Sequence, residues 1–143
     1  MKISTRGRYA LRLMLDIALT GGETPVSLRD VSQRQDISDK YLEQIITPLS
    51  RAGLVRSVRG AGGGFLLTKS PEDYTVGEIL RVLEGSLAPV NCAEDKGCCG
   101  RAEQCVTVEV WEQIMAAVSS VEEHITLADL MNRYYEKRNL AAT

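Results

Sequence analysis

Residues 27–68 read SLRDVSQRQDISDKYLEQIITPLSRAGLVRSVRGAGGGFLLT, and the fold follows from this stretch. Ser27 precedes an apolar-periodic run and Asp30 follows three residues later, so a hydroxyl and a carboxylate can serve the free amides of a first helical turn. Val26 is placed to staple onto Val31, and a helix is expected over about 28–34. Gln35-Asp36-Ile37 makes a short turn. Ser38 then caps a second start, with Ile37 stapling onto Leu42. Over 39–52, Leu42, Ile45, Ile46 and Leu49 recur at helical spacing, which buries one face and turns Lys40, Glu43, Gln44, Thr47 and Arg51 outward. Pro48 lacks a backbone donor and predicts a kink near the end of this helix, and Gly53 stops it. Two β-type runs, 54–58 and 65–68, flank RGAGGG, a hairpin with Arg59 and Gly60 at its glycine-rich tip.

Helix, turn, helix and hairpin spell a winged helix-turn-helix, a mainly α fold with a small β wing. A helix about 10–12 Å across fits the major groove of DNA, and a basic hairpin tip can reach the adjacent backbone. The residues expected to meet DNA are Ser38, Lys40, Tyr41, Glu43, Gln44, Thr47 and Arg51 on the second helix, with Arg59 and Gly60 on the wing. Charge agrees with a polyanion partner: residues 1–70 carry eleven Lys or Arg against six Asp or Glu, whereas 71–143 carry six against thirteen. A helix pair with a merely solvated face, or a winged helix used for protein contacts, is the competing reading.

Outward from this core, residues 6–19 are apolar on most faces and predict a mostly buried helix, with Thr5 as its cap and Gly21-Gly22 as its end. Thr75-x-x-Glu78 opens a short helix to about Leu83. Gly85 and Pro89 then interrupt regular structure. A long helix is expected over 106–124, where Trp111, Ile114, Val118, Val121 and Ile125 recur as a heptad seam. The seam fits either the chain's own core or a two-helix homodimer. So long a helix on so small a chain leaves little domain to cover it, which favours the dimer. Trp111 is read as a core or interface anchor, and the lone His124 as a surface residue. Thr126-x-x-Asp129 starts a final helix to about Arg138. The resulting division is a DNA-binding domain over 1–84, a cysteine loop over 85–105, and a dimerisation helix with a C-terminal helix over 106–143.

All four cysteines, Cys92, Cys98, Cys99 and Cys105, fall within fourteen positions. No apolar run has the length of a membrane span, and Met1–Tyr9 lacks the hydrophobic stretch of a signal peptide, so a cytoplasmic protein is expected. A reducing cytosol disfavours structural disulfides and favours metal binding or redox sensing. Five residues separate Cys92 from Cys98, and five separate Cys99 from Cys105, wider than the pairs that zinc fingers prefer. Soft thiolates on a wide loop suit an iron–sulfur core. Zinc and a vicinal Cys98–Cys99 redox pair stay open on the residues alone.

The runs RGRYAL, SDKYLEQII, AGLVRSVRGAGGGFLL, VGEIL and CVTVEVW resemble the IscR-type, Rrf-family bacterial transcription regulators, over about residues 1–131. The resemblance implies a non-enzymatic homodimer on a palindromic double-stranded DNA operator, with no small-molecule substrate. It implies an iron–sulfur cluster, 2Fe–2S favoured over 4Fe–4S, on Cys92, Cys105 and one of Cys98 and Cys99, and it favours cluster-biogenesis genes as targets. Two departures stand out. Val108 occupies the place where a histidine ligand is usual, and Arg8 the place where related nitric-oxide sensors carry a carboxylate. Glu43 matches a glutamate that gates site choice in IscR-like proteins, and it is the candidate fourth ligand. The alternatives are a nitric-oxide- or thiol-responsive repressor on the same fold, and a small iron–sulfur redox protein. The latter has no use for a basic recognition helix.

Overall fold

The computed structural model describes the backbone of residues 1–142 and the side chains of residues 1–140. Helix α1 spans Thr5–Thr20, α2 Leu28–Gln35 and α3 Asp39–Arg51; strands β1 (Val55–Val58) and β2 (Gly64–Leu67) form the hairpin. Helix α4 spans Val76–Glu84, a four-residue α5 Asn91–Glu94, α6 Val108–Glu122 and α7 Leu127–Ala142, with single 3-10 turns at Pro71–Asp73 and Lys96–Cys98. The helix-turn-helix and hairpin therefore form where the sequence places them. No helix is long and apolar enough to cross a membrane among the described residues.

Local chemistry sets the helix starts. Ser27, Ser38 and Thr75 each accept from the amide three residues on, those of Asp30, Tyr41 and Glu78. Thr126 and Asp129 exchange both bonds of a capping box, at 2.9 and 3.1 Å. At the first helix the cap is Ser4 rather than Thr5: Ser4 accepts from the Gly7 amide, and the Thr5 hydroxyl accepts from Arg8 at 2.9 Å. The turn between α2 and α3 closes on Asp36 at φ 55° and ψ 47°, a left-handed conformation that aspartate tolerates better than most residues. Helix α3 runs through Pro48 to Arg51, where the amide of Ala52 donates to the Pro48 carbonyl.

The core gathers Leu13, Met14 and Ile17 of α1 with Val31, Leu42, Ile45 and Leu49 of α2 and α3, Tyr74, and Ile79 of α4. Each large apolar side chain removed from water contributes about 1.5–3 kcal/mol. Helix α7 returns to this core through fully buried Leu127. One face of α1 is not apolar. Asp16 is buried and receives a two-pronged contact from Arg34, with Nη2 at 2.7 Å and Nε at 3.1 Å, plus the Gln35 amide nitrogen at 3.0 Å. The carboxylate raises the Arg34 pKa, chiefly through this hydrogen bond. The α1–α2 angle is thus set by a charged clasp as well as by packing.

Strands β1 and β2 pair antiparallel from Val55 opposite Leu67 to Val58 opposite Gly64. Residue 26 extends the hairpin by one bridge: Val26 and Phe65 exchange amide-to-carbonyl bonds of 2.9 and 2.8 Å. Gly64, at φ 155°, makes this approach possible, since a Cβ there would lie 2.4 Å from the Val26 carbonyl oxygen. The base of the wing is held by the buried phenol of Tyr74, which donates to the Leu54 carbonyl and accepts from the amides of Thr68 and Lys69.

Candidate nucleic-acid interface and cysteine segment

Helix α3 buries Leu42, Ile45, Ile46 and Leu49, so helical geometry leaves Lys40, Glu43, Gln44, Thr47 and Arg51 exposed together on its other face. Ser38 is spent on the cap, and half-buried Tyr41 leans on Tyr9 of α1, ring centroids 5.6 Å apart and edge to face. The Thr47 hydroxyl donates to the Glu43 carbonyl at 2.8 Å, which leaves its lone pairs toward solvent. Among the described residues Lys40, Glu43, Arg51 and Arg59 make no ion pair. Their charge is therefore available to an outside partner.

The wing tip places Arg59 and Gly60 in solvent. Gly60 (φ 96°) and Gly62 (φ 77°) adopt left-handed conformations, and the Gly63 amide closes the turn on the Gly60 carbonyl at 3.0 Å. Arg56, outward on β1 and also without an ion pair among the described residues, adds a cation to the wing that the sequence reading missed. Its signal was present: within a strand, alternation puts residue 56 on the face opposite buried Val55.

Cys92 lies on α5 and is half-buried, Cys98 and Cys99 are exposed, and Cys105 is half-buried just ahead of α6; all four are free thiols. Lys96 reaches Glu112 of α6 at 2.8 Å and ties the segment to that helix. Two thiols are biased in opposite directions. Cys105 is shifted toward thiolate by a hydrogen bond from the Thr107 hydroxyl, at 3.1 Å, and by the amides opening α6. Cys98 is pushed up by desolvation and then by the charges of Asp95, Cys92 and Cys99. A donor set of four soft thiols fits an iron–sulfur core in kind. Among the described residues no three Cys, His, Asp or Glu side chains converge to hold a metal ion, so the segment supplies thiols without a preformed cage. Val108 is buried beside the cysteine segment, outside the main core. Glu43 projects from α3 into solvent and makes no bond to the cysteines.

Helix α6 meets α4 near its end, where buried Glu122 pairs with Arg81 at 2.6 Å, while buried Val108 at its start lies beside the cysteine segment. The seam residues Trp111, Ile114, Val118 and Ile125 are half-buried, and Val121 is 54 % exposed. Ile114, Val118 and Val121 border an open apolar groove whose other wall is Ile3, Val76 and Leu80. His124 is exposed, as its sequence context suggests.

A family model described as an iron-dependent transcriptional regulator, Rrf2, matches residues 3–133. Protein rrf2 of Nitratidesulfovibrio vulgaris is 46% identical over 131 residues, which cover 92% of this chain and 87% of that protein. The solved structure of CymR (YrzC), the global cysteine regulator of B. subtilis, is similar with a TM-score of 0.78 at 44% identity, over 93% of this chain and 98% of that one. A solved IscR of T. potens gives a TM-score of 0.77 at 43% identity, over 96% and 90% of the two chains.

Proposed function

Because the chain belongs to the Rrf2 family of DNA-binding transcription regulators, we propose that it is a homodimeric regulator whose grip on a palindromic operator is governed by an iron–sulfur cluster on residues 85–105. The observation that carries this reading is the set of four free thiols within fourteen positions, outside the helix-turn-helix and wing, in a chain similar to both IscR and CymR. Cys92, Cys105 and one of Cys98 and Cys99 would hold the cluster, and adjacent cysteines point in different directions, which disfavours both from one small core. When bound, the cluster supplies an inorganic centre sensitive to oxidants and nitric oxide, so its occupancy reports cluster supply or stress. The resemblance to IscR-type regulators supports 2Fe–2S chemistry and cluster-biogenesis targets. With Val108 in the histidine position, Glu43 of the partner subunit is the candidate fourth ligand.

An absorption spectrum of the anaerobically purified protein tests this. Visible bands that persist in one of Cys98→Ser and Cys99→Ser, and vanish in Cys92→Ser and Cys105→Ser, are expected. A colourless zinc protein, or full cluster content in Cys92→Ser, overturns the assignment. A second reading, a thiol-responsive repressor, is favoured by exposed Cys98 and Cys99, by the lack of a preformed cage among the described residues, and by Cys105, whose pKa the Thr107 hydroxyl lowers. It expects a colourless protein whose DNA affinity changes when the thiols are oxidised.

A further inference from the structure

The first turn of α1 is closed by a side chain from eighty residues away. Glu84, the last residue of α4, accepts through Oε1 from the Ser4 amide at 2.9 Å and from the Ser4 hydroxyl at 2.5 Å. Ser4 in turn accepts from the Gly7 amide at 3.2 Å. The helix dipole favours a carboxylate at this end. The fit also requires glycine: a Cβ on buried Gly7 would fall 2.2 Å from Glu84 Oε1.

The same residue directly precedes the cysteine segment. Gly85 follows it at φ 73° and ψ −132°, a backbone conformation that side chains with a Cβ rarely adopt. The Ser86 hydroxyl then donates to Glu94 at 2.7 Å, and Glu94 shares the short α5 with Cys92. On the other side of Glu84, α1 carries two contacts to the DNA-binding face. Tyr9 meets Tyr41 in the first turn of α3, and Arg12 Nε donates at 3.1 Å to the side chain of Gln35, the last residue of α2 before the turn into α3. Side-chain contacts joined by short stretches of backbone thus connect the helix bearing Cys92, through Glu84 and the first turn of α1, to the start of α3.

We propose that Glu84 is a positioning residue that couples the state of the cysteine segment to the placement of the recognition helix, by holding or releasing the first turn of α1. The proposal rests on the regulatory reading above only in requiring that the segment have two states. A displaced α5 pulls on Ser86 and turns the chain at Gly85. Glu84 then loses Ser4, the first turn of α1 loosens, and Tyr9 and Arg12 pass the change to α3. Spatial continuity is not itself coupling. The quantity that defines it is the ratio of DNA affinities between the two states of the segment.

The test compares the parent, Glu84→Ala and Glu84→Gln as full-length proteins. DNA affinity is measured with the cluster loaded and removed, and absorbance reports loading. The parent ratio is expected within about the 5–150-fold span of ordinary allosteric coupling. In Glu84→Ala it should fall to one with colour retained, and in Glu84→Gln, which keeps an acceptor for Ser4, it should be largely restored. Hydrogen exchange at the Ser4 and Gly7 amides, in cluster-free protein, should differ between reduced and Cys92-alkylated parent and not between the same two forms of Glu84→Ala. If the parent takes up no cluster, the cluster reading fails on its own, and the reduced and alkylated forms become the two states compared for DNA affinity. Should Glu84→Ala not fold, Gly7→Ala displaces the carboxylate instead. A Glu84→Ala ratio equal to the parent's, or a parent ratio of one under both comparisons, overturns the proposal.

Discussion

The phenol of Tyr74 donates to the carbonyl of Leu54 at 2.7 Å, across twenty residues of chain, and joins the entry of the wing to its exit. The same oxygen accepts from the amides of Thr68 and Lys69 at 2.8 and 3.1 Å, in a site with no solvent exposure. Tyr74→Phe leaves these backbone groups unpaired without opening a cavity. It should cost about 1–3 kcal/mol in urea unfolding. A loss below the error of the measurement would show that the wing base is held by packing alone.

Asp16 and Arg34 should matter to a similar degree. Asp16 is 3% exposed, but Arg34 is 39% exposed, so solvent screening lowers the value of the pair. Asp16→Ala strands the Arg34 and Gln35 donors and should destabilise the fold by about 1.5–3 kcal/mol, the range for hydrogen bonds to charged groups, toward the lower end because Arg34 is exposed. Guanidinium chloride is a poor choice for this measurement because it screens the pair; urea melts at low and high salt should converge for the variant.

At the wing tip, Arg59 has no ion-pair partner among the described residues. If it faces phosphate, Arg59→Ala should weaken operator binding and reduce the slope of log affinity against log salt by about 0.9. Equal affinity and equal slope in parent and variant would remove the wing from the interface.

Val118 lies in the apolar groove beside α6. A second copy seated there would bury it, contributing about 1.5–3 kcal/mol. Val118→Asp should then sediment as a monomer while its circular dichroism stays near that of the parent. A stable Val118→Asp dimer would place the interface elsewhere.

Glu43 puts a negative charge on a face that otherwise offers Lys40 and Arg51. A carboxylate beside phosphate is repelled unless it accepts from cytosine. Glu43→Ala should therefore broaden the set of sites bound by the cluster-free protein, and it should labilise the cluster if the residue is a ligand. Unchanged selectivity, with and without cluster, would make it an ordinary surface residue.

The helix-turn-helix could be read from sequence because its determinants are local: a hydroxyl serving an amide three residues on, and apolar residues at helical spacing. Ser4 escaped that logic. Thr5 is an equally good cap by local chemistry, and the choice depends on Glu84, far away in the chain. Asp16 was hidden for the same reason, since a helix that reads as apolar on most faces gives no sign that its one carboxylate meets Arg34. At Thr75 the expected reciprocal box is half formed: Thr75 accepts from the Glu78 amide, but the Glu78 carboxylate pairs with Lys69 at 2.7 Å instead of returning to the Thr75 amide. The short helix at Asn91–Glu94 and the turn at Lys96–Cys98 are too brief for any periodicity to register. On α6 the seam predicts where apolar residues lie. It does not reveal that buried Glu122, with Arg81 as its partner, holds the helix to its own chain.

The bridge between Val26 and Phe65 means that the hairpin is anchored on the residue just ahead of the cap of α2. With Tyr74 fastening its base and Gly64 allowing the close approach, the wing cannot swing independently of the helices beside it. The base of the wing is thus tied to the helices, while Arg59 sits beyond it on the glycine-rich tip. If α3 reads the major groove and Arg59 meets the flanking phosphate, operators that alter the step between them would have to bend to fit, and part of the cost of a mismatch would fall on the duplex and depend on its sequence.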